Sequence, residues 1–234
     1  MKLSERIKHI IRMCEYSDTI IDVGCDHGYI SINLVKENKC KKCYAVDINE
    51  LPLRNAEINI KNNNLESNIK CIKSNGFNFL KETSNIAAVI AGMGGSTTKN
   101  ILEQNIDKVK KMDYILIQPN SYPKDIRKFL VDKKINIVKE NIIFSEGLYY
   151  EYILIFPKRQ EILNEEYQNF LLDFGYEIPT CVLTNHNGMY NDFIYWKLKK
   201  YQKVLDEIEN NKSENYEKYI NFKNKIISLR KCIK

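Results

Sequence analysis

Residues 19–28 run from an apolar segment, Thr19-Ile20-Ile21-Asp22-Val23, into the turn Gly24-Cys25-Asp26-His27-Gly28, and the next short apolar run, Cys43-Tyr44-Ala45-Val46, ends in Asp47. A glycine turn lets the backbone approach a ligand, and an acid closing the following strand accepts hydrogen bonds from ribose hydroxyls, so the pair suits an adenosine-containing cofactor. Two such cofactors come into question, a dinucleotide and S-adenosylmethionine. The dinucleotide fingerprint places glycines at positions one, three and six; counted from Gly24, these are Gly24, Asp26 and Tyr29. A carboxylate at Asp26 also opposes a pyrophosphate, since like charges about 4 Å apart repel by roughly 4 kcal/mol at an effective dielectric of 20. S-adenosylmethionine carries an ammonium and a sulfonium and no phosphate, so Asp22 and Asp26 favour it. Capping of turns would account for both acids, but it leaves Asp47 unexplained.

The elements that must position these groups follow from periodicity. Leu3, Ile7, Ile10, Ile11 and Cys14 recur at helical spacing and predict a helix over 3–14. Strands are expected at 19–23, 43–47, 69–72, 86–90, 114–117, 135–143 and 152–156. Helices are expected over 29–38, burying Ile30, Leu34 and Val35, and from Pro52 onward, with Ala56, Ile58 and Ile60 inward. Strands alternating with helices up to residue 134 imply βαβ units and a parallel sheet, and the last two strands, joined by a short loop, should pair antiparallel. Ligands of such sheets sit outside the carboxyl ends of the strands. That edge gathers the β1 turn, Asp47-Ile48, Ser74-Asn75-Gly76-Phe77, Ala91-Gly92-Met93-Gly94-Gly95, Gln118-Pro119-Asn120 and Glu146-Gly147-Leu148-Tyr149-Tyr150.

Beyond residue 157 the pattern becomes helical, over 161–174, 193–209 and 216–233, with a break at Gly175-Tyr176-Glu177-Ile178-Pro179 and a polar turn at 210–214. Ile194, Tyr201, Val204 and Ile208 form one apolar stripe; Tyr219, Phe222, Ile226, Leu229 and Ile233 form a second. Two stripes joined by a short turn predict an antiparallel coiled-coil hairpin, with a helix pair packed flat on the domain as the alternative.

The segments Asp22–Tyr29, Ala45-Val46-Asp47-Ile48-Asn49, Ile90–Gly95, Gln118-Pro119-Asn120 and Glu146–Glu151 together resemble the bacterial tRNA (adenine(22)-N1)-methyltransferases known as TrmK. The resemblance covers residues 1–157 and continues loosely into the tail. It implies an α/β fold, a Rossmann-like class I methyltransferase with a seven-stranded, mostly parallel sheet and a C-terminal α-helical coiled-coil appendage. Residues 1–157 would form the S-adenosylmethionine-binding catalytic domain and 158–234 a helical domain that contacts tRNA. The implied reaction moves a methyl from S-adenosyl-L-methionine to N1 of an adenine in tRNA. Asp22, Gly24 and Asp26 would hold the methionine end, with Asp47 on the ribose, Ile48 against the cofactor adenine, and Asn75 and Gly76 at its edge; His27, Gly28, Ala91 and Gly92 are further candidate cofactor-binding residues. Asn75 is an amide where such enzymes show an acid. On the acceptor side, Asp26, Met93, Gly94, Gln118, Asn120 and Tyr150 are the candidate catalytic residues. Backbone carbonyls at the glycines and the amides of Gln118 and Asn120 would accept from the exocyclic amine, and Tyr149 or Tyr150 would stack on the base. Candidate phosphate contacts are Arg6, Lys8 and Arg12 on the first helix and Lys197, Lys199, Lys200 and Lys203 on the tail.

Bulk properties narrow the field. The 234 residues are 44% hydrophobic, enough for one α/β domain with an appendage, and the net charge is +6. That charge is compatible with a polyanionic partner. No apolar run reaches the length of a membrane helix, and seven cysteines, mostly embedded in apolar runs, fit reduced thiols in a cytoplasmic protein. Cys40-Lys41-Lys42-Cys43 has metal-type spacing but no second pair, so no metal is expected. No obligate protein partner is indicated. The competing readings are a methyltransferase of another RNA or of a small molecule, and a non-catalytic RNA-binding protein on a cofactor-like fold.

Overall fold

The computed structural model describes residues 3–81, 84–158, 165–184, 188–210 and positions 217, 220, 221, 223, 224, 227 and 228. The chain divides into two compact units, Met1–Ile162 and Leu163–Lys234. The first contains α1 (Glu5–Met13), β1 (Thr19–Val23), α2 (Tyr29–Lys36), β2 (Lys42–Asp47), α3 (Glu50–Asn62), β3 (Ile69–Lys73), β4 (Ile86–Gly94), α4 (Gly95–Gln104), α5 (Ile106–Val109), β5 (Ile115–Ser121), α6 (Pro123–Asp132), β6 (Ile137–Ser145) and β7 (Leu148–Ile155). The strands form one sheet in the order β3-β2-β1-β4-β5-β7-β6. β1 to β5 run parallel, and β7 is antiparallel to β5 and β6. The seven-stranded, mostly parallel sheet with a closing hairpin is therefore as expected.

The central strands are apolar on both faces because both are covered. Ile20 and Ile21 of β1, residues 87–90 of β4 and residues 115–117 of β5 have no accessible surface. Each such Ile or Leu contributes about 1.5–3 kcal/mol of burial. α1 is capped by Ser4, whose Oγ accepts from the Ile7 amide, and its inward residues Ile10 and Ile11 are fully buried. Two tyrosines tie this helix and the segment just after it along one sheet face. Tyr152 OH donates to the Arg6 carbonyl and Tyr114 OH to the Glu15 carbonyl. The opposite side of the hairpin is fastened by a buried ion cluster: Arg127 of α6 donates from Nε to Glu140 Oε1 at 2.7 Å and from Nη2 to Glu151 Oε2 at 2.5 Å.

The structure corrects several expected boundaries. β4 and β5 run on through segments expected to be loops, with Ala91 opposite Gln118, Met93 opposite Pro119 and Gly94 opposite Ser121 in a shifted register. Pro119 brings no N–H to the ladder, and the bulged pairing accommodates it. Tyr149 and Tyr150 likewise belong to β7, opposite Phe144 and Ile143. The loop shrinks to Glu146-Gly147, both with positive φ (53° and 80°), which is the geometry of a two-residue hairpin turn. The α3 helix begins at Glu50, ahead of Pro52, and Ile58 is 59% exposed, so its inward face is Leu53, Ala56 and Ile60. In α2 the fully enclosed apolar residues are Ile32 and Leu34, while Ile30 and Val35 are only partly covered. The described part of the β3–β4 connection is built of turns around the buried Phe77, not a helix.

The second unit contains α7 (Glu165–Asp173), α8 (Cys181–Thr184) and α9 (Gly188–Asn210). Phe170, Leu171, Ile178, Phe193 and Ile194 are among its buried residues, and the expected break contains Gly175 and Tyr176, both with positive φ. Lys197 does not lie on a solvated surface: it is buried, with its ammonium on the Glu177 carbonyl, and Tyr201 OH donates to the Glu177 carboxylate. The second expected apolar stripe, Tyr219 to Ile233, lies outside the described residues. No described helix is long and apolar enough to cross a membrane.

Candidate active site

The site is built at the carboxyl edge of the parallel strands. At the end of β1 the Gly24 and Cys25 amides both donate to the Val46 carbonyl, at 2.8 and 3.0 Å, which holds the turn against β2. Gly24 has φ +76°, so the backbone favours glycine, and a Cβ there would stand 2.3 Å from the Met93 methyl, which would have to swing aside. Gly28, at φ +71°, ends the turn as the N-cap of α2 with no side-chain cap. Between them Asp26 holds φ +49°, a left-handed conformation tolerated by few non-glycine residues. Its carboxylate is 71% exposed and lies 3.7 Å from His27 Nε2, and the His27 ring stacks on Tyr29. An exposed acid on a strained turn beside an uncapped helix start is available to a ligand.

Asp22 is different. It is buried, and its Oδ2 accepts from both the amide (3.1 Å) and the hydroxyl (2.7 Å) of Ser31 in α2. Its Oδ1 is buried with no hydrogen-bond partner among the described residues. Burial is the main cause that raises its pKa to about 6, the Ser31 bonds opposing. A half-satisfied carboxylate at this depth is a place where a cationic ligand group, directly or through water, would supply the missing donor.

The neighbouring strand ends extend the cleft. Asp47 Oδ1 accepts from the Asn49 amide at 2.9 Å, and Ile48 next to it is 59% exposed, an apolar side chain facing solvent at a ligand-bearing edge. After β3, the Asn75 side chain reaches Gln104 Oε1 at 3.5 Å, and Gly76 turns at φ +57°. At the end of β4, Ala91, Gly92, Met93 and Gly94 are half-buried, with Met93 folded over Gly24 and the Gly94 carbonyl accepting from Thr98 Oγ1. Asp22, Gly24, Asp26, His27, Gly28, Asp47, Ile48, Asn75, Gly76, Ala91 and Gly92 thus share one edge of the sheet.

On β5 the structure revises the chemistry of Gln118 and Asn120. Gln118 is fully buried, and its oxygen accepts from Arg6 Nη1 at 2.7 Å. Its Nε2 donates to the Pro119 carbonyl and to Asn120 Oδ1, and Asn120 Nδ2 donates to the Gly92 carbonyl at 2.7 Å. Neither amide oxygen is idle, so the pair is not the set of open acceptors expected from the residue types. Arg6, expected on a phosphate-facing surface, is instead half-buried within the site. Tyr150 and Tyr149 separate by strand parity. Tyr150 shares its face with Tyr152 and Leu154, as Gln118 does with Tyr114 and Leu116, and those four belong to one core cluster under α1. Tyr149 points to the other face, its ring 4.8 Å from Phe144. Tyr122 (62% exposed) and Phe144 (56% exposed) are further aromatics at this edge that composition did not single out.

Residues 3–153 match the family described as Methyltransferase domain. The chain belongs to that family. It is 28% identical over 154 residues to the tRNA (adenine(22)-N(1))-methyltransferase of Bacillus subtilis, covering 66% of this chain and 65% of that protein. The aligned part therefore spans just under two thirds of that curated relative. Among solved structures, M. capricolum TrmK in complex with S-adenosyl-homocysteine is 30% identical, covers 100% of both chains and has a TM-score of 0.83. A putative tRNA (m1A22) methyltransferase of Streptococcus pneumoniae in complex with S-adenosyl-L-methionine is 25% identical, again over 100% of both chains, with a TM-score of 0.79. The sheet is accordingly a Rossmann-like methyltransferase sheet.

Proposed function

We propose that the protein moves the methyl group of S-adenosylmethionine to N1 of an adenine in tRNA, adenine 22 in the reaction named for the Bacillus subtilis relative. The observation that carries this reading is the half-paired, buried carboxylate of Asp22 behind a glycine turn that also displays Asp26. Two carboxylates suit a cationic ligand and oppose a pyrophosphate. The full-length likeness to a structure holding S-adenosyl-homocysteine supports the same cofactor.

In this reading Asp22, Gly24, Asp26, His27 and Gly28 hold the methionine end. Asp47 holds the ribose, Ile48 packs on the cofactor adenine, and Asn75, Gly76, Ala91 and Gly92 close its edge. When bound, S-adenosylmethionine supplies a methyl on cationic sulfur, whose bonding pair stays with sulfur as N1 of the base forms the new bond. Adenine N1 carries a lone pair at neutral pH, so the chain needs no general base. Its task is alignment and exclusion of water. Met93 walls the cleft beside Gly24, Gly94 lets the backbone pass close, and Tyr150, on the face shared with Gln118 and Arg6, stacks on the acceptor ring. Base–aromatic stacking of about 1–3 kcal/mol offsets part of the few kcal/mol needed to unstack the target.

The first unit carries the chemistry, and the tail, a coiled-coil hairpin, meets tRNA. Lys8 and Arg12 on α1 and Lys199, Lys200 and Lys203 on α9 contribute phosphate contacts. The free thiols of Cys14, Cys25, Cys40, Cys43 and Cys71 are in keeping with a cytoplasmic setting. Incubation with methyl-labelled donor and total tRNA, followed by nucleoside mapping, tests the reading: label should appear as 1-methyladenosine in tRNA. Label in small molecules with none in tRNA would refute it.

A further inference from the structure

The acceptor side of the cleft contains a one-way chain of hydrogen bonds that starts at a cation. Arg6 Nη1 donates to Gln118 Oε1, Gln118 Nε2 donates to Asn120 Oδ1, and Asn120 Nδ2 donates to the Gly92 carbonyl, at 2.7, 3.2 and 2.7 Å. A guanidinium has donors only and keeps its charge at any working pH. It therefore dictates that the Gln118 oxygen faces α1. That leaves the Gln118 NH2 group for the Asn120 oxygen, which in turn aims the Asn120 NH2 group at Gly92. The path returns to its start, because a Cβ on Gly92 would lie 3.3 Å from the same Arg6 nitrogen. Gln118 is fully buried, so no water competes for its amide, and a polar group in such surroundings holds its orientation strongly. Arg6 itself is anchored by a bond its side chain does not share, Tyr152 OH to the Arg6 carbonyl.

Resting on the tRNA-methyltransferase reading, we propose that Arg6 is a positioning residue for the acceptor base. It sets the polarity of the Gln118–Asn120 pair, so the amide edge offered to the purine is an N–H donor and not a carbonyl oxygen. The base is then held through a ring acceptor atom, and its N1 lone pair stays directed at the methyl.

Kinetics of the full-length protein with tRNA test this. In Arg6→Met, kcat should fall on the order of 10- to 100-fold, the effect of a small misplacement of reacting groups. Donor affinity by calorimetry and the KM for tRNA should each change less than about threefold. Arg6→Lys, which keeps a donor toward Gln118, should recover much of kcat. In an Asn120→Ala background the Arg6→Met change should cost under about twofold, because its effect runs through Asn120. The side-chain amide NMR signals of Gln118 and Asn120 should shift in Arg6→Met while the backbone spectrum holds. Unchanged kcat, or a loss confined to KM that multiplies with Asn120→Ala, would overturn the positioning role and leave the proposed function standing. Wild-type protein that methylates no tRNA would remove the proposed function, and this inference with it.

Discussion

Replacing Asp22 by Asn separates what the buried carboxylate does for folding from what it does for the ligand. In the folded protein its pKa is about 6 against a usual 3.8, mainly because burial disfavours the charge. The native state thus retains its proton up to about pH 6, while the unfolded chain releases it near pH 3.8. Between those values the native state binds more protons, so stability falls as pH rises through this window and stays lowered above it. From 3.8 to about 6, at 1.36 kcal/mol per pH unit, the accumulated difference is about 3 kcal/mol. Asparagine mimics the neutral acid and keeps an oxygen for Ser31. Urea unfolding of both proteins from pH 4 to pH 8 should show the stability of Asp22→Asn relative to wild type rising by about 2 kcal/mol across the series, because pH 4 already lies just above the unfolded value. The same variant should bind S-adenosylmethionine roughly ten- to a hundredfold more weakly at pH 7.5, the loss expected when a bond to a charged group disappears. In wild type, donor affinity should drop as pH falls below about 6, as the carboxylate takes up its proton. A stability difference flat in pH, or undiminished donor binding by Asp22→Asn, would refute the assignment.

Other perturbations test neighbouring features. Gly24→Ala should cost about 1–2 kcal/mol for the left-handed backbone, push Met93 aside and weaken donor binding, with partial recovery in the Gly24→Ala/Met93→Ala pair; calorimetry and thermal melts read both. Asp26→Gly suits the positive φ and removes only the carboxylate, so the protein should stay as stable as wild type and lose most of its turnover; wild-type turnover would exclude Asp26 from the site. Arg127→Met should destabilise the protein by about 3–5 kcal/mol, because Glu140 and Glu151 remain as buried charges without their cation; a urea midpoint close to wild type would contradict this.

Much of the fold and of the cofactor side was legible in the residues because their signals are local. Apolar runs of period two and three-to-four mark strands and helices. The positive-φ glycines at 24 and 28 mark a turn wherever the rest of the chain goes. Parallel connectivity then sends the ends of β1 to β5 to one edge, which is why the residue order alone associates Asp22, Asp26 and Asp47. Residue types alone misjudged the acceptor side. Arg6 and Gln118 are 112 positions apart, and only the packing of α1 on the sheet joins them and turns two open amides into a directed chain. Strand length escaped for a related reason. β4 and β5 continue past their apolar residues because Met93 and Gly94 find bulged partners across the sheet, which is a property of the neighbour and not of the segment. The residue order therefore determined which elements form and which edge binds. The depth of Asp22, the face of Tyr150 and the direction of the Arg6 network were decided by tertiary packing, since burial and hydrogen-bond polarity depend on atoms that lie far away along the chain.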